Sequence, residues 1–322
     1  MRLEVEHAFA FEYDGYISES FLELRVQPKT TPTQTVLSFT LAVGPRARVY
    51  RYVDWNDNVT HHFTITKFHD RIEVTATSLV ETRPAPVALA DLGPPAGAGE
   101  VPYPLLDYLA FDGPVRLTPA LRAAHGALAV PRGAPLDEQV LAMGRALRGR
   151  FEYQKDVTRY DSTTEDFLKL GQGVCQDFAH LMLGWLRLSG IPCRYVSGYL
   201  HVDYRKREPS QSHAWVEFHA PSAGWVAFDP THGRPVDERY VVVGHGRHYD
   251  DVPPNKGIYR GTARETLAAE VYTRLVTGTA IPRLSEDVRA IDLKVFAAAP
   301  ARRPAAAVPS AAEEQAQQQQ QQ

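Results

Sequence analysis

The sequence predicts an α+β fold: an N-terminal β-sandwich-like domain, followed by a core that combines an antiparallel sheet with one central helix. Three observations lead to this prediction. Residues 1–85 are strand-like throughout, a helical pattern of apolar residues follows Cys175, and two strand-like segments come after that helix. The chain has 322 residues, a length that fits two domains.

The N-terminal segment, residues 1–85, contains several short alternating stretches separated by turn-forming residues such as Asp57 and Asn58. Short strands joined by turns are typical of a β-sandwich. The alternating stretches are Glu19–Val26, Thr35–Val43, Val49–Trp55, His61–Phe68 and Arg71–Val80. The pattern leaves open whether this domain presents substrate or only packs against the rest of the chain.

A linker rich in proline, glycine and alanine, residues 86–104, precedes the predicted core at 105–296. In that core, Ser162–Thr164 supplies candidate caps for a short helix. One helix is predicted over Leu136–Phe151, and the short helix that follows the caps runs through Leu170. Strands are predicted over Cys193–Leu200, Tyr240–Val243 and Leu267–Val276. Residues 297–322 consist mainly of alanine, proline and glutamine, a composition that predicts a disordered tail.

Cys175 stands where a glycine-broken loop, Gly171–Gly173, runs into the central helix. The helix is marked by apolar residues at helical spacing: Phe178, Leu181, Met182, Trp185 and Leu186. Ser189–Pro192 ends it, with a glycine after the last turn and a proline behind it. In the first turn, the helix dipole and the unpaired N–H groups favour a thiolate and can bind an oxyanion. The alternative is that Cys175 is a small buried apolar residue.

A strand–turn–strand pattern downstream offers a base and an acid. Ala214, Val216 and Phe218 alternate with His213, Trp215 and Glu217 on the first strand, and Trp225–Asp229 forms the second. A hairpin that turns at Pro221 places His213 directly opposite Asp229, on the same face of the sheet. A carboxylate there can orient the imidazole and stabilise its charged form. The alternative is a surface hairpin with an incidental pair of these two residues.

Four segments resemble the transglutaminase-like superfamily: GVCQDFAHLM at 173–182, GIPCRYVSGYL at 190–200, SHAWVEF at 212–218 and GWVAFDPTHG at 224–233. Tyr16–Pro28 and Val36–Phe39 resemble the β-rich N-terminal domain of bacterial members. The resemblance implies a papain-like core in which cysteine, histidine and aspartate follow in this order. It implies that Cys175 is the nucleophile, His213 the base and Asp229 the orienting acid.

The chemistry implied is acyl transfer on peptide or isopeptide amide bonds. A Cys175 thiolate attacks the carbonyl and forms a thioester, which water or an amine then resolves. Water would make the protein a cysteine protease or amidase, and an amine would make it a transglutaminase; the sequence leaves this choice open. Gln172, three residues before the cysteine, either donates to the oxyanion, as glutamines near the nucleophile do in papain-like enzymes, or caps the turn.

Two other functions are weighed against this one. A catalytically idle binding module would keep the transglutaminase-like fold without turnover. A metal enzyme would use the histidines and aspartates of Gly244–Asp251. That segment has no periodic scaffold to hold its spacing, so a solvated loop is predicted there, with no metal and no cofactor.

Composition narrows the classes of partner. The net charge of −3 does not favour nucleic acid or an acidic membrane surface. The resemblance to the transglutaminase-like superfamily implies peptide-amide chemistry, so the expected partner is a protein or peptide substrate. The two cysteines exclude a disulfide framework and a cysteine-rich zinc site. Neither an apolar signal core nor a run long enough to span a bilayer is found, so a cytoplasmic location is expected.

Overall fold

The structure is a computed structural model, and it describes residues 1–92, 101–128, 133–202, 212–277, 285–298 and 300. Part of the predicted linker at 86–104 and nearly all of the predicted tail at 297–322 lie outside these described residues. In the described part of the chain, no helix is both long enough and apolar enough to cross a membrane.

The N-terminal segment forms six strands, as its alternating pattern predicts. They are β1 (Arg2–Ile17), β2 (Glu19–Leu24), β3 (Gln34–Gly44), β4 (Val49–Val53), β5 (Val59–Ile65) and β6 (His69–Thr82). In β1 buried and half-buried side chains alternate over ten residues, because successive residues of a strand face opposite sides of the sheet.

The middle segment carries the helices and the third sheet. Its helices are α1 (Pro119–Gly126), α2 (Leu136–Arg150), α3 (Thr164–Leu170) and α4 (Cys175–Leu188). Its strands are β7 (Glu152–Tyr153), β8 (Gln172–Gly173), β9 (Cys193–Leu200), β10 (His213–Ala220), β11 (Gly224–Asp229), β12 (Arg234–Pro235) and β13 (Tyr240–Gly246). The α+β class predicted from the sequence is confirmed.

The last strands of the described chain return to the N-terminal sheets. They are β14 (Asn255–Arg260), β15 (Glu265–Leu275) and β16 (Ser285–Ala290). One sheet has the order β15-β1-β6-β3-β16 and the other β14-β2-β5-β4. Residues 105–296 are predicted to form one core domain, whereas these strands pair with strands of residues 1–85. Alternation shows that a segment is a strand but not which sheet edge it joins.

The two N-terminal sheets enclose a core of their own, with buried side chains such as Phe39, Phe63 and Ile72. The third sheet, ordered β12-β11-β10-β9-β13, packs against α4. Ala214, Val216 and Phe218 face that helix, as the alternation in β10 predicts, and Trp185 of α4 is fully buried in the same core. This packing fixes the start of α4 relative to the start of β10.

One predicted loop is partly a strand. Gly244–Asp251 is predicted to be a solvated loop, but β13 continues to Gly246 by pairing with β9. His245 is held on both ring nitrogens, 2.9 Å from an Arg194 guanidinium nitrogen and 3.2 Å from Lys29 Nζ. The segment has no periodic pattern of its own because its first residues are held by pairing with β9, where Gly244 and Gly246 allow a close approach of neighbouring side chains.

Gly198 in β9 is a position where only glycine fits. A Cβ there would collide with the Val241 carbonyl oxygen and with the Trp215 ring. We expect Gly198→Ala to lower the free energy of unfolding by at least about 1–3 kcal/mol, because neither the backbone nor the buried ring can move away. Urea unfolding followed by circular dichroism measures this change. The matched control is Gly149→Ala on the exposed end of α2, which meets no neighbour and should stabilise by up to about 1 kcal/mol. Equal effects at the two positions would contradict the packing described for Gly198.

Candidate active site

Cys175 is the first residue of α4, as predicted. The preceding helix, α3, begins with a capping box in which Thr163 and Asp166 satisfy each other's backbone N–H groups. It ends at Gly171, whose φ of 74° lies in the left-handed region that favours glycine. The chain then pairs briefly as β8 with β7 before α4 starts. The turn at Gly171 and the short strand β8 therefore place Cys175 at the N-terminus of α4, where it is only 3 % exposed.

Asp177 holds the start of α4 in place. Its carboxylate accepts the Val174 N–H at 2.8 Å and the Thr158 hydroxyl at 2.7 Å. Burial raises the pKa of Asp177 to about 6, against these hydrogen bonds, which lower it. The contacts support the structural role expected for an acid in the first turn of a helix.

The hairpin brings His213 and Asp229 onto one face, but in a different register from the prediction. Val216 pairs with Phe228 and Ala220 with Gly224, so the turn lies one residue later than predicted. Moving a turn by one residue shifts the pairing by two, which preserves the face of every side chain. His213 and Asp229 are therefore diagonal neighbours, not direct opposites. Pro221 is not the centre because Gly224, with a φ of 70°, completes the turn.

Cys175, His213 and Asp229 form a continuous chain of hydrogen bonds. His213 Nε2 lies 2.8 Å from Asp229 Oδ2, and the His213 side chain also makes a hydrogen bond with Cys175. Asp229 is fully buried, and the His213 side chain is 11 % exposed. Since one ring nitrogen faces Asp229, the other is left for the thiol.

The electrostatics of this chain favour a charged imidazole. Burial lowers the pKa of His213, but the hydrogen bonds and charges of Asp229 and Cys175 outweigh it and raise the pKa to about 10. Burial would raise the pKa of Asp229, yet hydrogen bonds from His213 and His232 hold it far below the usual range. Asp229 is thus a carboxylate and His213 an imidazolium at neutral pH, the state that stabilises a neighbouring thiolate.

Two further side chains converge on Asp229 and were not assigned from the sequence. Oδ2 accepts hydrogen bonds at 2.6 Å from the Tyr240 hydroxyl and lies 2.6 Å from His232 Nδ1. Oδ1 accepts the backbone N–H groups of Thr231 and His232, at 2.9 and 3.2 Å. The spacing Asp-Pro-Thr-His carries a signal for the His232 contact, because aspartate commonly accepts bonds from residues two and three positions on. Tyr240 had no such local signal.

Tyr240→Phe tests this support. It removes the hydroxyl that donates to Asp229 and keeps the ring, which packs edge-on against Trp215 at 5.4 Å. We expect the free energy of unfolding to fall by about 1–2 kcal/mol, as for other hydrogen bonds to charged groups. Thermal and urea unfolding measure the change. Tyr272→Phe, whose hydroxyl meets Glu270 on the surface, is the matched control and should change stability by less than about 0.5 kcal/mol. A loss at Tyr240 no larger than in this control would contradict the support described here.

Gln172, the candidate oxyanion donor, is placed differently from the other three residues. Its amide donates to Glu152 Oε2 at 2.9 Å, across the pairing of β7 and β8. The small cavity beside the nucleophile, about 10 Å³, is lined by Gln176 and not by Gln172. The structure therefore brings together Cys175, His213 and Asp229. The oxyanion role of Gln172 stays a prediction.

The second cysteine, Cys193, lies in the middle of the core and not at the start of a helix. Cys193 is fully buried in β9, where its thiol donates to the Leu183 carbonyl at 3.5 Å. Burial raises the pKa of Cys193 to about 11. It therefore belongs to the core, as its position among bulky residues predicts.

Tyr153 marks the outer side of the site. Burial, followed by the charges of Cys175, Asp177 and Asp229, raises the pKa of its phenol, so these groups lie close together. The residue is nevertheless 45 % exposed. Tyr153 is thus an exposed side chain beside the buried Cys175.

Sequence comparisons place the chain among known families. The transglutaminase-like superfamily matches residues 127–230, and the bacterial transglutaminase-like N-terminal region matches residues 3–81. An uncharacterized protein of Mycobacterium leprae is 35 % identical over 287 residues, which cover 85 % of this chain and 99 % of that protein. The protein-glutamine gamma-glutamyltransferase of Pseudomonas aeruginosa is 29 % identical over 142 residues, 38 % of this chain and 21 % of that enzyme.

A solved structure shares the whole architecture. A candidate cysteine protease from Cytophaga hutchinsonii superposes with a TM-score of 0.72 at 20 % identity, covering 88 % of this chain and 93 % of that one. At this identity the likeness shows the fold alone. It extends over both the N-terminal sheets and the third sheet with its helix, since so much of each chain is covered.

Proposed function

Because this chain belongs to the transglutaminase-like superfamily, we propose that it is a cysteine-nucleophile acyl-transfer enzyme that acts on amide bonds of protein or peptide substrates. The observation that carries the proposal is the buried chain of hydrogen bonds from Cys175 through His213 to Asp229. A nucleophile, a base and an orienting acid in one connected line are the parts that such chemistry requires.

The first half-reaction forms a thioester. The Cys175 thiolate attacks the amide carbonyl, and the negative charge moves to the carbonyl oxygen. The first N–H groups of α4 point at that oxygen, because the first turn of a helix has no intrahelical partner for them. The C–N bond then breaks as the His213 imidazolium gives its proton to the leaving nitrogen, and the acyl group stays on sulfur.

The second half-reaction reverses the roles. Neutral His213 takes a proton from water or from an amine, which attacks the thioester carbonyl, and the C–S bond breaks to restore the thiolate. Water yields a carboxylic acid, and an amine yields a new amide. The Cytophaga hutchinsonii and Pseudomonas aeruginosa proteins bear names that correspond to these two outcomes. Both outcomes use the same three residues, so the proposal is acyl transfer. An experiment that offers both water and an amine identifies the acceptor.

Alkylation of Cys175 by iodoacetamide tests the proposal without a known substrate. We expect Cys175 to react at pH 6 at least about tenfold faster than in the His213→Ala variant, because the imidazolium stabilises the thiolate. Peptide mass spectrometry separates this label from any on Cys193, which serves as the internal control. If Cys175 instead follows an ordinary thiol, titrating near pH 8.5 with or without His213, an idle binding module replaces the enzyme.

The pH dependence of turnover has a predicted alkaline limit. The pKa of His213 is raised to about 10, so the imidazolium that protonates the leaving nitrogen persists through neutral pH and is lost as pH rises through that value. We therefore expect kcat/KM, which reports the free enzyme, to fall above about pH 10 once a substrate is found. A fall centred near pH 6.5, the ordinary value for histidine, would show that Asp229 and Cys175 do not raise the pKa of His213.

A further inference from the structure

Three side chains around Asp229 hold metal-binding atoms close to one another. His213 Nε2, Asp229 Oδ2 and His232 Nδ1 lie within 4.8 Å of one another, and no other such group of three occurs among the described residues. We propose that these three atoms form a binding site for a divalent transition metal ion, typified by Zn²⁺, and that an ion bound there inhibits the enzyme. The inhibition rests on the proposed function, whereas the metal site does not.

The donor set fits this class of ion. Two imidazole nitrogens and one carboxylate oxygen are ligands that Zn²⁺ takes readily, with one further position left for water. Calcium and magnesium need six or more oxygen ligands, which this group does not offer. The nitrogen donors therefore favour a late first-row transition metal.

The geometry needs a small opening that the structure allows. Oδ2 is 2.8 Å from His213 Nε2 and 2.6 Å from His232 Nδ1, hydrogen-bond distances. Ligands around a tetrahedral Zn²⁺ lie about 3.4 Å apart, so the atoms must separate by about 0.6–0.8 Å. The His232 side chain is 42 % exposed and can retreat, while Asp229 is fully buried. Solvent reaches the ion from the side of His232 and supplies the fourth ligand.

The surroundings already orient the carboxylate for this role. The backbone N–H groups of Thr231 and His232 hold Oδ1, and the Tyr240 hydroxyl approaches Oδ2. Such hydrogen bonds to a ligating carboxylate fix its direction and raise metal affinity. The carboxylate is thus oriented before the ion arrives, and the ion replaces the protons that lie between the two imidazole nitrogens and Oδ2, which pass to solvent.

Occupancy of this site and catalysis exclude each other. His213 uses Nε2 toward Asp229 and its other nitrogen toward Cys175. With Nε2 bound to the ion, the one remaining ring proton stays on Nδ1, and no lone pair is left to accept the proton of the thiol or of the acceptor. The ion also takes Asp229 away from His213. Both effects remove the base.

Cobalt(II) binding to the Cys175→Ser protein tests the site separately from activity. Co²⁺ replaces Zn²⁺ because its bound state absorbs visible light. The serine variant lacks the Cys175 thiol, which could otherwise bind the ion. We expect one equivalent of Co²⁺ to bind and give the intense visible absorption of a tetrahedral site. Adding His232→Ala should weaken binding more than about 100-fold, because a ligand is lost. Adding His62→Ala, on the surface of β5, is the matched control and should leave binding unchanged.

Three results would overturn the proposal. One is unchanged affinity in the His232→Ala protein, with circular dichroism showing that it is folded. Another is loss of binding on Cys175→Ser. The third is a thiolate-to-cobalt charge-transfer band in the protein with Cys175 intact, since this would place the ion on the other side of the His213 ring. None of these results bears on acyl transfer, so a failed metal site leaves the proposed function standing.

Discussion

Replacing Cys175 by alanine is expected to abolish turnover, by more than about 10⁴-fold, while leaving the fold intact. In the proposed mechanism the Cys175 sulfur forms the thioester, and the other thiol, that of Cys193, is fully buried in β9. Losing the nucleophile of a catalytic triad costs 10⁴-fold to 10⁶-fold in kcat. A dimethylated casein with a fluorescent alkylamine reports both outcomes: incorporated amine shows transfer, whereas new peptide termini, or ammonia released in excess of the incorporated amine, show hydrolysis.

Cys193→Ala is the matched control for this substitution. It removes the other thiol of the chain from a fully buried position in β9, far from the hydrogen bonds of His213. We expect it to lower the free energy of unfolding by about 1 kcal/mol and to leave kcat near that of the wild type. Turnover that survives Cys175→Ala in folded protein would exclude Cys175 as the nucleophile.

Asp229→Asn is expected to have the second largest effect. The amide keeps the shape of the side chain but removes the charge that His213, His232 and Tyr240 surround. We expect kcat to fall by about 10³–10⁴-fold, because the imidazole loses the group that orients it and stabilises its proton. The pKa of His213 should fall from about 10 toward its ordinary value, which NMR titration of the ring measures directly.

The same substitution changes how stability depends on pH. The pKa of Asp229 is depressed, so its contribution is present above the unfolded value near 3.9 and lost at lower pH. The pKa of His213 is raised, so its contribution is complete below about 6.5 and lost as pH rises through about 10. The stability difference between wild type and Asp229→Asn should therefore be largest between about pH 4 and 6.5, near 3 kcal/mol. Urea unfolding at pH 6 and pH 10 tests this.

Asp237→Asn controls for the loss of one negative charge. Asp237 pairs with Arg239, and both side chains are more than one third exposed. We expect its removal to change stability by less than about 1 kcal/mol, as for other surface ion pairs, and to leave kcat unchanged. If the two aspartate variants behaved alike, Asp229 would have no special part in the site.

The sequence predicts the parts of the site that local patterns encode. Helical spacing after Cys175 and the glycines before it place the nucleophile at the start of α4, and alternation places His213 and Asp229 on one face. The register of the hairpin was predicted one turn position too early. The predicted contact between His213 and Asp229 still forms, because a two-residue shift keeps both side chains on the same face and a histidine side chain reaches a diagonal neighbour.

What the sequence does not predict depends on contacts between distant residues. Tyr240 reaches Asp229 only because β13 folds back beside β9, and no local pattern records that return. The same holds for β15, whose alternation identifies a strand but not its partner β1. His232 lies between these cases. Its distance from Asp229 along the chain is short, but its role depends on which way the turn after β11 directs the ring.

The pairing of β1 with β15 has a consequence for how the chain is made. Leu3 pairs with Leu275 and Tyr13 with Glu265, so β1 leaves the ribosome well before β15, the strand with which it pairs. At 5–20 residues per second, the intervening segment takes roughly 10–50 s to synthesise. During that interval the edge of β1 has unpaired N–H and carbonyl groups, a template for association with other chains.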